Sequence, residues 1–388
     1  MKIIDIKAHL VTVPYIEPNA LAVATITKGS SIIIQVYTDE GIVGVGETRG
    51  FTHTMAAIES EIGPLVLNED PFDVERILLK YLHGVGALLS DMEGACEAMG
   101  GVEMALWDIM GKKTGMPVYR LMGGKFREKI PISAFMNLKN FEEVIEDARI
   151  ATKQGYRTIK IKVGRDIEED VALVAKIREA VGPSVELRVD ANGSWTPGTA
   201  VRQIRKMEPF DPQYIEQPVP RYDMEGLAYV RSRTRTPIAV CEGALTLYRI
   251  SDIIRMKAAD IISTDPLRLG GMLMFKKASS IAEAVGIPLV THASRLGISK
   301  AAWLHLCAST PNILYANDIL ASNGVGFRGS IDDPVDLRFE HINGYLNVPE
   351  GPGLGVELNE EALKKYKEEH WERIRGPGKK GVYTSPSY

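Results

Sequence analysis

The 388-residue chain is 45% hydrophobic and 25% charged, with a formal net charge of −4. That length allows a large core and two domains, and the charge excludes a general attraction to nucleic acid or to an anionic membrane. No apolar run reaches membrane-spanning length and Met1-Lys-Ile-Ile-Asp5 carries no apolar signal core, so the chain reads as cytoplasmic.

Ile3–Val13, Ser31–Thr38 and Ile42–Glu47 read as strands, the last two joined by the tight turn Asp39-Glu40-Gly41. Between the first two, Pro14–Ser30 reads as a long loop of the kind that serves as a lid. A second loop, Thr48–His53, follows the third strand. From Met55 to Met122 the periodicity is helical, and Gly101–Gly111 is rich in small residues at helix spacing, which permits close packing. Trp107 and Asp108 in that stretch read as structural. Cys96, Cys241 and Cys307 match no zinc or redox spacing and read as buried thiols.

From Ile130 onward strand and helix patterns alternate. Strands are predicted near 131–135, 157–162, 185–190, 213–216, 237–242, 260–264, 288–291 and 313–316, many of them apolar without alternation, as in a buried parallel sheet. Eight such strands suggest a closed barrel. An open doubly wound sheet is the alternative, although no Gly-x-Gly-x-x-Gly follows an early strand. The tail Gly376–Tyr388, rich in Gly, Pro and basic residues, reads as flexible or loosely docked.

A polar residue ends each successive apolar run: Lys162, Asp190, Glu216, Glu242, Asp265, His292 and Asp318. In a (β/α) barrel the C-terminal strand ends carry the active site. Asp190, Glu216 and Glu242 on consecutive strands would repel unless a cation sat between them, and hard oxygen ligands in an incomplete cage suit Mg²⁺. Lys160 and Lys162, two apart in a strand, share a side and are expected to depress each other's pKa, favouring a lysine base. His292, one strand beyond Asp265, is expected to hydrogen-bond that carboxylate. Tyr15, Lys28, Arg49 and His53, on the early loops, are candidates for contact with substrate hydroxyls or a distal carboxylate.

These residues resemble the enolase superfamily, in its mandelate racemase-like branch. The resemblance is carried by Glu103-Met-Ala-Leu-Trp-Asp108, Leu121-Met-Gly-Gly124, Lys160-x-Lys162, the Asp190/Glu216/Glu242 series and Pro349-Glu-Gly-Pro-Gly-Leu-Gly-Val356. It implies an α/β fold: a modified TIM barrel, (β/α)₇β, over residues 126–335, with an α+β capping domain over 1–125 that a C-terminal segment, 336–388, completes. It also implies Mg²⁺ on Asp190, Glu216 and Glu242, a small carboxylic acid as substrate, and a homo-oligomer. In muconate-cycloisomerase and dipeptide-epimerase relatives a lysine stands in the place of Asp265. Asp265 followed by His292 is instead the pattern of mandelate racemase and many acid-sugar dehydratases, and Thr291-His-Ala-Ser294 with Ala316-Asn-Asp318 is similar to glucarate-dehydratase relatives.

The resemblance assigns Lys162 and His292 as the groups that move protons on two faces of the α-carbon, with Lys160 balancing charge, Asp265 orienting His292 and Asp318 completing the catalytic set. The expected reaction is removal of the proton α to a carboxylate, through an enolate, and dehydration of an aldonate or aldarate to a 2-keto-3-deoxy acid. Racemisation or epimerisation of an α-substituted acid is the alternative. A non-catalytic binding barrel is the third.

Overall fold

The centre of the N-terminal sheet is a run of β-branched residues, Ile32, Ile33, Ile34 and Val36, all fully buried. In the computed structural model, which describes residues 1–20, 25–86, 92–137, 139–292, 295–327 and 329–375, this run lies in β2 (Thr25–Thr38). It pairs antiparallel with β1 (Ile3–Ala20) on one side and β3 (Val43–Arg49) on the other. Helix α1 (Met92–Thr114) packs on β3 with almost no space between backbones. A Cβ at Gly46 would stand 2.0 Å from the Gly101 carbonyl oxygen, and one at Gly44 would stand 2.2 Å from that of Ala105. The two glycines of β3 are therefore required by contact with the helix, and so is Gly101 of α1, where a Cβ would stand 2.8 Å from the Thr48 side chain. Asp108 is structural, as its setting suggested: buried, it accepts from Val45 N and Leu354 N and pairs with Lys112.

The loop expected over Pro14–Ser30 is instead strand at residues 14–20 and 25–30, and 21–24 lie outside the described residues. β1 and β2 extend as one long hairpin to Ala20 and Thr25, with a register shift between Pro14 and Asn19. Two prolines are tolerated there because β1 is an edge strand and the register shift relaxes the ladder. The outer edge of β1 is met by the barrel: Ile16 N donates to Gly329 O, and Ile331 N to Pro14 O.

After a short strand, β4 (Lys129–Pro131), the second half of the chain forms a parallel sheet of β5 (Ala134–Met136), β6 (Thr158–Lys162), β7 (Glu186–Asp190), β8 (Pro212–Glu216), β9 (Ile238–Val240), β10 (Ile261–Thr264) and β11 (Leu289–Thr291), in that spatial order. Residues 312–318 close the ring. On one side Leu289 N donates to Asn312 O and Asp318 N to Thr291 O; on the other Asn317 N donates to Pro131 O and Ser133 N to Asn317 O. This segment is the predicted eighth strand, held by short bridges to both neighbours. Within the sheet Lys162, Asp190 and Glu216 are in register, which brings three strand ends to one face.

Most barrel helices begin on a side chain that accepts the first free N–H groups: Asn140, Asp166, Thr196, Asp223 and Thr246. Helices α2 (Met272–Glu283) and α3 (Gly297–Ser309) have no such local cap. Asp333 accepts from Gly297 N, and two further N–H groups at the start of each helix are met by the first half of the chain. Glu103 of α1 accepts from Met272 N and Leu273 N, and Glu47 of β3 accepts from Leu296 N and Ser299 N. The C-terminal segment returns to the same region. Residues Tyr345–Asn347 pair with Lys129–Pro131, Gly353 O accepts from Val118 N, and the last helix, Glu360–Arg375, lies along β1 with Glu360 accepting from Gln35. No helix among the described residues is long and apolar enough to cross a membrane, and Cys96, Cys241 and Cys307 are all buried thiols outside any disulfide. The predicted flexible tail, Gly376–Tyr388, lies outside the described residues.

Burial pushes the Glu103 carboxyl up to about 7, against the pull of its two backbone donors and of Trp107. A raised carboxyl contributes stability that is present below its ordinary value of 4.5 and is lost as pH rises through about 7. Glu103→Gln is therefore expected to flatten the fall in stability between pH 4.5 and 8 by up to roughly 3 kcal/mol. Denaturant unfolding of both proteins across that range checks it, and parallel curves would remove Glu103 as the source.

Candidate active site

Lys160 and Lys162 end β6 on its inward side. Lys160 is fully buried, and its Nζ lies 2.6 Å from Glu216 Oε1, 2.7 Å from Asp318 Oδ2 and 3.3 Å from Asp190 Oδ2. Lys162 Nζ lies 2.5 Å from Asp190 Oδ2 and 3.1 Å from Asn192 Oδ1. Each ammonium group thus has a carboxylate oxygen within hydrogen-bond distance. Burial alone would lower the Lys160 pKa, but Asp318, Glu216 and Asp190 together hold it well above the ordinary value. The expected mutual depression is not found at Lys160, because strand register delivers three counter-charges to it.

The carboxylates respond unequally. Burial would raise Asp190, but Lys162 and Lys160 outweigh it and bring the carboxyl down to about 2. At Glu216 burial wins over Lys160 and, helped by Asp190 and Asp318, lifts the carboxyl to about 7. Asp318 also accepts from Ser133 Oγ at 2.7 Å and stands 3.8 Å from Arg188. Glu242, two residues past β9, accepts from Asn192 Nδ2 at 2.8 Å.

Glu216 Oε2 and Glu242 Oε2 are both buried without a hydrogen-bond partner. Buried unpartnered carboxylate oxygens are costly, and a hard divalent cation satisfies them. By donor chemistry the Asp190, Glu216 and Glu242 set therefore fits Mg²⁺. Among the described residues, the one group of three with ligand atoms all within 4.8 Å of one another is Glu216, Cys241 and His292. The carboxylate trio is less tightly gathered, with the Lys160 ammonium lodged against two of its members. Burial holds the Cys241 thiol well above its usual range, so that sulfur is a poor candidate beside the hard oxygens.

His292 follows β11, with Nε2 3.8 Å from Glu216 Oε1 and Nδ1 buried without a partner. Burial, with Lys160, Arg268, Lys162 and Arg49 nearby, holds the imidazole well below its usual pKa, and hence neutral. The expected hydrogen bond to Asp265 is not formed. Asp265 instead pairs with Arg49 Nη2 at 3.1 Å and accepts from Leu267 N, capping a short helical turn, Pro266–Leu269. Arg49 reaches it from β3 and also contacts Glu97 at 3.0 Å. A guanidinium within reach, and a backbone N–H two residues on, take both carboxylate oxygens.

Lys162, Asn192, Glu242, His292 and Asp318 line one cavity of about 320 Å³, roofed by the hairpin residues Tyr15, Asn19 and Ile26. Of the four early-loop candidates, Tyr15 and Arg49 line it. Lys28 and His53 are exposed and do not, His53 stacking on Phe51 instead. Lys28 is carried off by the unforeseen strand pairing, and His53 by the helix that begins at Thr52. Sequence reasoning missed Asn192, Arg268 and Arg295, which also line the cavity. Each lies two or three residues beyond a strand-end residue already singled out, so reading slightly further into each loop would have found them.

Residues 4–123 match the family described as mandelate racemase / muconate lactonizing enzyme, N-terminal domain, and residues 143–362 match the enolase C-terminal domain-like family. The chain is 34% identical to an L-Ala-D/L-Glu epimerase of Bacillus subtilis, over 95% of this chain and 100% of that one. It is 32% identical to an arabinonate dehydratase of Saccharolobus solfataricus, over 90% and 95%. Among solved structures, the dipeptide epimerase of Enterococcus faecalis V583, crystallised with Mg and L-Leu-L-Tyr, superposes with a TM-score of 0.84 at 30% identity, over 92% of this chain and 100% of that one.

Proposed function

Because the chain belongs to the mandelate racemase / muconate lactonizing enzyme branch of the enolase superfamily, we propose that it dehydrates a sugar acid, taking the proton α to the carboxylate and expelling the β-hydroxyl as water. The observation that carries this reading is that Lys162 and His292 face one cavity from the second and seventh strand positions of the barrel, with polar Asn19, Ser31, Asn192 and Ser330 around them. A lysine and a histidine on separate walls can serve two proton transfers, as is general for enolase-superfamily sites. Asp190, Glu216 and Glu242 are the residues that would hold Mg²⁺, which supplies stabilisation of the charge that builds on the substrate carboxylate. Lys160, among Asp190, Glu216 and Asp318, adds a fixed positive charge beside the same group. His292 is placed to give a proton to the departing hydroxyl once it holds one.

Epimerisation needs the same two groups and no leaving group, and the epimerase relatives favour it as the second reading. Incubation with Mg²⁺ and a library of aldonates and aldarates, read by semicarbazide trapping, is expected to reveal a 2-keto acid from at least one member. Deuterium incorporation in D₂O without keto acid would transfer the assignment to epimerisation. Absence of Mg²⁺ binding by calorimetry at millimolar concentration would point to a non-catalytic barrel.

A further inference from the structure

Three guanidinium groups, Arg49, Arg268 and Arg295, line the same cavity as His292. They are close enough that Arg268 and Arg295 both act on Arg49, whose pKa burial and these two cations lower. Such a cluster needs acids. Arg49 has its own, bound to Glu97 at 3.0 Å and Asp265 at 3.1 Å. Arg268 does not. It is nearly fully buried, its Nη1 has no hydrogen-bond partner, and its Nε reaches only Glu93 at 3.7 Å, a carboxylate already held by Arg221 at 2.8 Å. Arg295 Nε is likewise buried and unpartnered. Buried charged donors without acceptors are costly, and two at one cavity wall mark a place where an acceptor belongs.

Building on the sugar-acid reading, we propose that Arg268 and Arg295 form a subsite for a second carboxylate, so that the substrate is a diacid of the aldarate class. The first carboxylate belongs near Asp190, Glu216 and the two lysines. The second lies against the Arg268 and Arg295 forks, whose planar donors match a carboxylate's two oxygens. A cavity of about 320 Å³ is at the small end of the range for ligand sites, in keeping with a short acid spanning it. A terminal CH₂OH there would leave the guanidinium donors unmet, which is the sharper form of discrimination.

Binding can be read apart from dehydration with acids that have no β-hydroxyl to lose. Calorimetry of the full-length protein with Mg²⁺ is expected to give glutarate and adipate Kd values about 10- to 100-fold below those of 5-hydroxypentanoate and 6-hydroxyhexanoate. Arg268→Met and Arg295→Met should each cut that ratio at least several-fold, and Arg295→Lys should keep part of it. Equal affinity of wild-type protein for diacids and monoacids overturns the subsite, and needs no variant to fold. A diacid preference unchanged in both Met variants also overturns it. So does tighter binding of 4-phosphonobutyrate than of glutarate, which would make the subsite one for phosphate. A diacid preference lost in the variants, with no keto acid from any aldarate, would uphold the subsite while removing dehydration.

Discussion

Lys162→Ala is expected to abolish α-proton exchange for substrates of one configuration, and His292→Asn to abolish it for the other or to block loss of the β-hydroxyl. The two residues sit at the second and seventh positions of an eight-membered ring and line the same cavity. An α-carbon held between them therefore shows a different face to each. Lys162 is fixed by Asp190 at 2.5 Å and Asn192 at 3.1 Å, so it cannot swing across to the other wall without breaking both contacts. Removing a positioned acid or base costs about 10²- to 10⁴-fold in rate. The measurement is ²H exchange by NMR in D₂O, for each variant with each epimer. Loss of exchange with the same epimer in both variants would put both residues on one face. Asp265→Asn is the informative control. Because Asp265 engages Arg49 and the Leu267 N–H rather than His292, the variant should not mimic His292→Asn.

Lys160→Met is expected to destabilise the metal-free protein by about 3–5 kcal/mol at neutral pH, the usual loss when one partner of a buried charged group is removed. Asp190, Glu216 and Asp318 are all essentially without solvent access and all meet this ammonium, with Lys162 left for Asp190 and Arg188, 3.8 Å away, for Asp318. Without Lys160 they can relieve their repulsion by taking up protons, so the loss should shrink as pH falls from 8 to 5. Urea unfolding in the presence of a chelator reads both effects. An unchanged midpoint at pH 8 would mean that the three carboxylates find other counter-charges. Added Mg²⁺ should recover more stability in this variant than in the wild type, because a cation then replaces a missing charge instead of meeting one in place.

The barrel and the strand-end residues were legible because period and burial agree there. Apolar runs such as Ile238–Cys241 and Leu289–Val290 are fully buried as expected, and Glu242 and His292 follow them within two residues. The hairpin was misread because Pro14, Pro18 and Gly29 are turn residues by local chemistry, and nothing local says that β1 is an edge strand where prolines cost little. The Asp265–His292 contact failed for a related reason. Adjacency of strands places two residues within reach, but Arg49, 216 positions earlier in the chain, arrives from a different sheet and takes the carboxylate. Arg268 and Arg295 are individually ordinary in sequence, and only their convergence on one wall with unmet donors gives them meaning. Glu47 and Glu103 carry no motif for helix capping, since the helices that they cap begin 249 and 169 residues further on.

Those two glutamates also decide how molecules get in and out. Swinging the N-terminal sheet and α1 away from the barrel as a rigid body would strip four backbone N–H groups, at Leu296, Ser299, Met272 and Leu273, of their acceptors. Each would cost about 1–3 kcal/mol until water reached it. An opening confined to the hairpin breaks less: among the described residues, its ties to the barrel around Ile16, Pro18, Glu17 and Thr25 are backbone bonds, single bonds from the Asn137 and Arg165 side chains and a partly exposed ion pair with Lys139. Residues that tune release are to be sought there, in the rim of Tyr15, Asn19 and Ile26, and not at the seam between the two halves.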